Sequence, residues 1–141
     1  MPSAAVASVG GSLKRGNGAS VEVFTAFAEV TGINPSGQTM EMIDVTTLGS
    51  TGGYREFMAS FIDPGEVAVE GNFTHDNYAT LLADQVGKSL VNYQITIDDP
   101  DSSVISFSAY TTSIQGPVLS TADAVKCSFT LKITGAVTQN T

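Results

Sequence analysis

A chain of 141 residues, 42% of them hydrophobic, is long enough for one domain that removes about two-thirds of its unfolded surface from water. Six basic residues against fourteen acidic give a net charge of −8, the wrong sign for binding nucleic acid by neutralising phosphates. The single cysteine, Cys127, excludes an intrachain disulfide framework, and no run of roughly twenty apolar residues could span a bilayer.

Residues 1–20 are small and polar, with Gly10, Gly11, Gly16 and Gly18, and read as a flexible N-terminal arm in which Leu13 is the one anchor. Its opening lacks the charged and apolar regions of a secretory signal, so the expected product is a soluble protein made in the cytoplasm. Residues 21–141 read as one β domain. Val21 to Thr31 is rich in β-branched and aromatic residues and is expected to be a strand. Gly32 to Gln38 holds two glycines and a proline, which marks a turn.

Thr39 to Thr47 reads as the second strand, and a long loop follows over about 48–62. Its first half, Gly49 to Gly53, is flexible. Its second half carries Tyr54, Phe57, Met58, Phe61 and Ile62 within nine positions. Long structureless loops are uncommon in compact domains, and a disordered linker does not carry that much apolar surface. The economical expectation is a loop that becomes ordered against a neighbouring subunit. Charged residues, at 14% against about a quarter in ordinary domains, agree with a surface covered by other copies, although a surface rich in serine and threonine fits too.

Asp63-Pro-Gly65 is a turn: proline presets φ, and glycine accepts the positive φ that follows. In Glu66 to Phe73, valines at 67 and 69 alternate with glutamates at 66 and 70, the period of a half-buried strand. From Thr74 the period changes. Tyr78, Leu81, Leu82 and Val86 recur at helical spacing between a capping residue, Thr74 or Asp76, and Gly87, which predicts a helix over about 76–86. Leu90 to Asp98 and Val104 to Ile114 read as strands joined through the Asp98 to Ser102 turn. Asp123 to Val137 alternates most cleanly, with Val125, Cys127, Phe129, Leu131 and Ile133 inward. The sum is a mainly β fold, a sandwich or barrel of about six or seven strands with one flanking helix.

Chemistry is sparse. His75 is the lone histidine, with Asp76 adjacent, but Cys127 points into an apolar strand face, so a nucleophilic system is not expected and His75 reads as a residue of the helix start. Asp98, Asp99 and Asp101 lack the remaining ligands of a calcium loop. Gly49 to Gly53 is followed by no Gly-Lys-Ser/Thr, so it is no phosphate loop. No enzyme activity, cofactor or metal is expected. A soluble β-sandwich carbohydrate-binding module is the alternative from another class, and the absence of tryptophan counts against it.

The order of motifs nevertheless resembles a known family. Leu13-Lys-Arg-Gly-Asn-Gly18, Phe24-Thr-Ala-Phe-Ala-Glu-Val-Thr31, Ile43-Asp-Val-Thr46, Gly52-Gly-Tyr-Arg-Glu-Phe57, Asp63-Pro-Gly-Glu-Val67 with Gly71-Asn-Phe73, and Ser128-Phe-Thr-Leu-Lys-Ile-Thr-Gly135 are together similar to the major tail tube proteins of long, non-contractile-tailed phages. The resemblance implies a structural virion protein of the tail. Six copies would form a ring, and rings would stack into a hollow tube that holds the tape-measure protein and later conducts DNA without binding it specifically. Further partners would be tail-tip and tail-terminator proteins. The loop residues Gly52, Gly53, Tyr54, Arg55, Glu56, Phe57, Phe61 and Ile62 would couple one ring to the next. Glu41, Glu66 and Glu70 are the expected lumen-facing residues. Inner tubes of contractile tails and of type VI secretion share the same broad fold, so they stand as the alternative function.

Overall fold

Alternation of apolar and polar residues builds most of the molecule. The computed structural model describes residues 10–122 and 124–140. In chain order these form β1 (Ser12–Gly16), β2 (Phe24–Ala26), β3 (Val30–Pro35), β4 (Thr39–Asp44), β5 (Phe57–Asp63), β6 (Glu66–Asn72), α1 (His75–Val86), β7 (Val91–Thr96), β8 (Val104–Val118) and β9 (Lys126–Gln139). Seven strands make one antiparallel sheet in the order β2-β1-β7-β8-β9-β6-β3, while β4 and β5 pair only with each other. The end strands β2 and β3 do not pair, so no barrel closes. The fold is mainly β with one helix, as expected; nine strands replace the six or seven anticipated.

One face of the large sheet carries the core. Val67 and Val69 of β6, Phe129, Leu131 and Ile133 of β9, Phe107 and Ala109 of β8, and Val91 and Tyr93 of β7 are buried there. Each such burial is worth about 1.5–3 kcal/mol for the larger side chains. Phe27 lies between β2 and β3 and joins this layer, with ring centroids 6.4 Å from Tyr93 and 5.6 Å from Phe129. The Phe27 amide donates to the Leu13 carbonyl at 2.9 Å. Glu29 then turns with φ 61°, and its carbonyl accepts from the Asn72 amide at 2.9 Å. One strand over Val21 to Thr31 is therefore two, because the chain leaves one end of the sheet at β2 and joins the other end at β3. The expected turn at Gly32 to Gln38 begins later, since β3 runs through Pro35 with a register shift between Val30 and Gly32.

The flexible arm predicted over 1–20 needs correcting for its middle. Ser12–Gly16 is an interior strand between β2 and β7, and Leu13 is 0% exposed. Residues 1–9 of that arm lie outside the described residues, as does Asp123.

Helix α1 forms as predicted, with the Thr74 hydroxyl accepting from the Asn77 amide at 3.3 Å and Gly87 at its end. Its buried edge differs. Leu81 is in the core and Tyr78 is half-buried, but Leu82 and Val86 are exposed and Asp84 is buried in their place. Gln85 Nε2 donates to the Thr112 carbonyl at 3.0 Å, and Asp84 faces Arg15 of β1. Polar anchors, rather than an apolar stripe, set this helix's rotation on the sheet.

Candidate assembly surface

The segment expected to be a loop over 48–62 ends in a strand, with 57–62 paired to β4 in a hairpin. Thr39 pairs with Asp63, Met40 with Ile62, Met42 with Ala59, Ile43 with Met58 and Asp44 with Phe57. What looked like the loop's apolar half is strand β5, and the true connection shortens to 45–56. Periodicity concealed it, because β5 does not alternate: apolar residues fall on both of its faces. A register shift between Met40 and Met42 sets Ser60 and Phe61 opposite Glu41 alone. Such a bulge twists and bends the strand that carries it.

Turn chemistry closes the tip. Gly52 and Gly53 adopt φ 68° and 73° inside a single turn of 3-10 helix, Thr51–Gly53, a conformation that favours glycine. The Glu56 amide donates to the Thr46 hydroxyl at 2.8 Å, and the Val45 amide to the Glu56 carbonyl at 2.9 Å. Arg55 Nη1 lies 2.9 Å from Asp44 Oδ2. Hydrogen bonds from Thr46, with a smaller contribution from Arg55, hold the Asp44 carboxyl below the usual carboxylate range. Both partners of that pair are exposed, so its contribution to stability is small.

The hairpin has no core of its own. Met40, Met42, Ile43, Val45, Leu48, Tyr54, Phe57, Met58, Phe61 and Ile62 are all exposed, Phe61 to 84%. Isolated two-stranded hairpins are marginal in water, and contiguous apolar patches on monomers are usually interaction sites. The methionines at 40, 42 and 58 belong to this surface although the sequence reading singled out only Met58; their adaptable thioethers suit a contact surface.

The acidic candidates separate into two places. Glu66 and Glu70 are exposed on the face of β6 turned away from the core, four positions apart, with Ala68 between them on that face. Glu41 lies on β4 in the other sheet. On the large sheet, Glu66 sits opposite Lys132, and Glu70 opposite Ser128. Lys126 Nζ donates to Asn72 Oδ1 at 2.9 Å on the same face. This outer face, completed by Thr130, Ser113, Ser108 and Ser106, is polar and mixed in charge rather than purely acidic.

Two features of the remaining chemistry matter. Cys127 is half-buried, and burial pushes its thiol up, away from the reactive thiolate. Among the described residues no three His, Cys, Asp or Glu side chains stand close enough to hold a metal ion, and no helix is long and apolar enough to cross a membrane.

No family model matches the chain, and no curated protein matches it. Solved structures do. The tail of an empty gene transfer agent particle, refined with C6 helical symmetry, contains a chain 21% identical, covering 92% of this chain and 95% of its own, with a TM-score of 0.70. The tube-terminating cap of the anti-feeding prophage gives 13% identity, 100% and 94% coverage, and a TM-score of 0.75. The SPP1 tail tube gives 11% identity, 92% and 76% coverage, and a TM-score of 0.66. At these identities the fold is what is shared, and this chain has the fold found in the tail and tube assemblies of phages, gene transfer agents and contractile injection systems.

Proposed function

We propose that this chain is the major subunit of a phage-type tail tube, a structural protein of the virion tail. Six copies form a ring and rings stack into a hollow tube that holds a tape-measure protein, ends on tip and terminator proteins, and conducts DNA during ejection. One observation carries the reading: on a fold shared with tubular assemblies, the β4–β5 hairpin exposes large apolar side chains that nothing among the described residues covers. Gly52, Gly53, Tyr54, Arg55, Glu56, Phe57, Phe61 and Ile62 then act together at the junction between copies. Glu66 and Glu70 line the lumen, where a surface free of strong positive charge does not hold the phosphate backbone; Glu41, on the hairpin, is the lumen candidate farthest along the chain from that face.

Negative-stain microscopy of the concentrated protein is the test. Rings or hollow tubes are expected, and deletion of 52–57 is expected to leave a folded monomer that makes neither. A full-length protein that stays monomeric at every concentration would sink the proposal.

A second reading has its own support. A chain from the sheath/tube terminator of an extracellular contractile injection system in its extended state is 12% identical and covers 100% of this chain at a TM-score of 0.73. An inner tube of a contractile machine would bind a sheath on its outside; a smooth tube in the native particle, with no sheath around it, decides against that version.

A further inference from the structure

We propose that the open end of the core is the seat for the β4–β5 hairpin of a second copy. The proposal rests on the tube reading and adds the acceptor surface to it. Between β3, the end of β7 and the start of β8 lies a cleft of about 690 Å³, walled by Val30, Ile33, Ile95, Ile97 and Ile105. Ile95 and Ile105 share the strand parity of Tyr93 and Phe107, so these walls continue the core face, yet each of the five residues is only half-buried. Helix α1 packs beside Arg15 and Thr112 and contributes nothing to this cleft. A volume of that size accepts a few large side chains.

The chain's own hairpin does not fill the cleft, because β4 and β5 are exposed along nearly their whole length. Their apolar side chains need cover, and the cleft needs apolar side chains: the described residues carry both halves of a contact that they do not make with each other. Backbone groups agree. Strand β3 pairs on one side only, with β6, and so presents a row of unpaired groups along the cleft, while β4 and β5 each keep one free edge. A strand laid there gains hydrogen bonds as well as burial. Phe61, thrown outward at the bulge, is the side chain that enters the cleft, with Ile62 beside it. Asp99 at the rim is already held by Ser103, whose amide and hydroxyl both donate to it at 2.7 Å. The contact joins two different surfaces, which generates rings or filaments rather than closed dimers.

The test uses full-length chains with Cys127→Ala. One carries Phe61→Cys and another Ile97→Cys; they are mixed under assembly conditions and treated with a short bismaleimide. A cross-linked dimer that forms from the mixture and from neither variant alone is expected. In parallel, hydrogen exchange on the unsubstituted protein is expected to slow in Val30–Pro35 by at least an order of magnitude on assembly. Tubes that form without the mixed dimer and without protection of β3 overturn this proposal and leave the tube reading standing. An intrachain link between Val6→Cys and Ile97→Cys, with no mixed dimer, gives the cleft to the chain's own first residues and also overturns it. Failure of the unsubstituted protein to assemble at all overturns both.

Discussion

Arg15 and Asp84 meet through two parallel hydrogen bonds, Nε to Oδ2 at 2.9 Å and Nη2 to Oδ1 at 2.6 Å, and so fasten the first strand to the helix. The Asp84 side chain is 7% exposed and that of Arg15 27%, which leaves the carboxylate little water to fall back on. The hydrogen bond to Asp84 raises the guanidinium above its ordinary value, so Arg15 keeps its charge. Removing one partner strands the other: Asp84→Ala is expected to cost about 3 kcal/mol in urea unfolding. Replacing both together, as Arg15→Met with Asp84→Leu, is expected to recover most of that loss. Equal losses in the single and double variants would show that the pair does not act as a unit.

Asp99 makes the turn between β7 and β8 sensitive to acid. Hydrogen bonds from the Ser103 side chain and backbone lower its carboxyl pKa below the ordinary 3.8. The sign follows from linkage: a depressed folded-state value gives stability that is present above about pH 4 and is lost as pH falls through the lower, folded value. A carbon-detected titration of the folded protein is expected to place the Asp99 midpoint below that of an exposed aspartate. Ser103→Ala is expected to move the midpoint back up, and an unchanged midpoint would count against the hydrogen bonds.

Gly65 fixes where the hairpin leaves the large sheet. Its φ is +83°, its amide donates to Asp63 Oδ1 at 2.9 Å, and its carbonyl accepts from Ile133 at 3.1 Å. A Cβ there would run into the carbonyl of Gly37. Gly65→Ala therefore combines backbone strain with a clash and is expected to destabilise by more than about 1 kcal/mol. Gly53→Ala, with a φ of +73° but open space around the site, is expected to cost less. Thermal melts of the two variants give the comparison.

Under the proposed function, the hairpin's contact role is expected to separate from folding. Phe61→Asp and Ile62→Asp are expected to leave the melting temperature of the monomer within a few degrees of its original value, because neither side chain packs on the core. Assembly, read by light scattering against concentration, is expected to be lost in both. Melting that drops as far as for a core substitution such as Leu131→Ala would return these residues to the fold.

Glu66 and Lys132 face each other across β6 and β9, so Glu66→Lys sets like charges opposite one another and is expected to cost up to about 1 kcal/mol. Glu70→Lys, opposite Ser128, is expected to be neutral for stability. Under the proposed function both slow DNA ejection; ejection at the original rate would remove them from the lumen.

What was legible in the sequence was whatever alternates with one buried face. Val67 and Val69, Phe129 and Leu131, and the Thr74 cap announce their elements through period and position alone. Strand β5 stayed hidden because Phe57, Met58, Phe61 and Ile62 obey neither period: with the strand exposed along nearly its whole length, no internal burial imposes one. Strand β1 was hidden differently. Ser12–Gly16 is short and carries two cations, and its place rests on Leu13 and on the distant partner Asp84, a pairing 69 positions away that no local pattern records. The helix misled for the same reason, since its buried carboxylate reads as solvent-facing until its partner is known.

The apolar hairpin and the acidic balance pull in opposite directions, and ionic strength arbitrates. Copies bearing −8 repel one another at long range, whereas an exposed apolar hairpin can attract only on contact. Counterions shorten the reach of the repulsion to about 10 Å at 0.1 M and leave apolar attraction intact. Under the proposed function, a pool of subunits is expected to stay dispersed in dilute buffer and to condense as salt rises, with a lag before growth and a threshold concentration that falls with added salt.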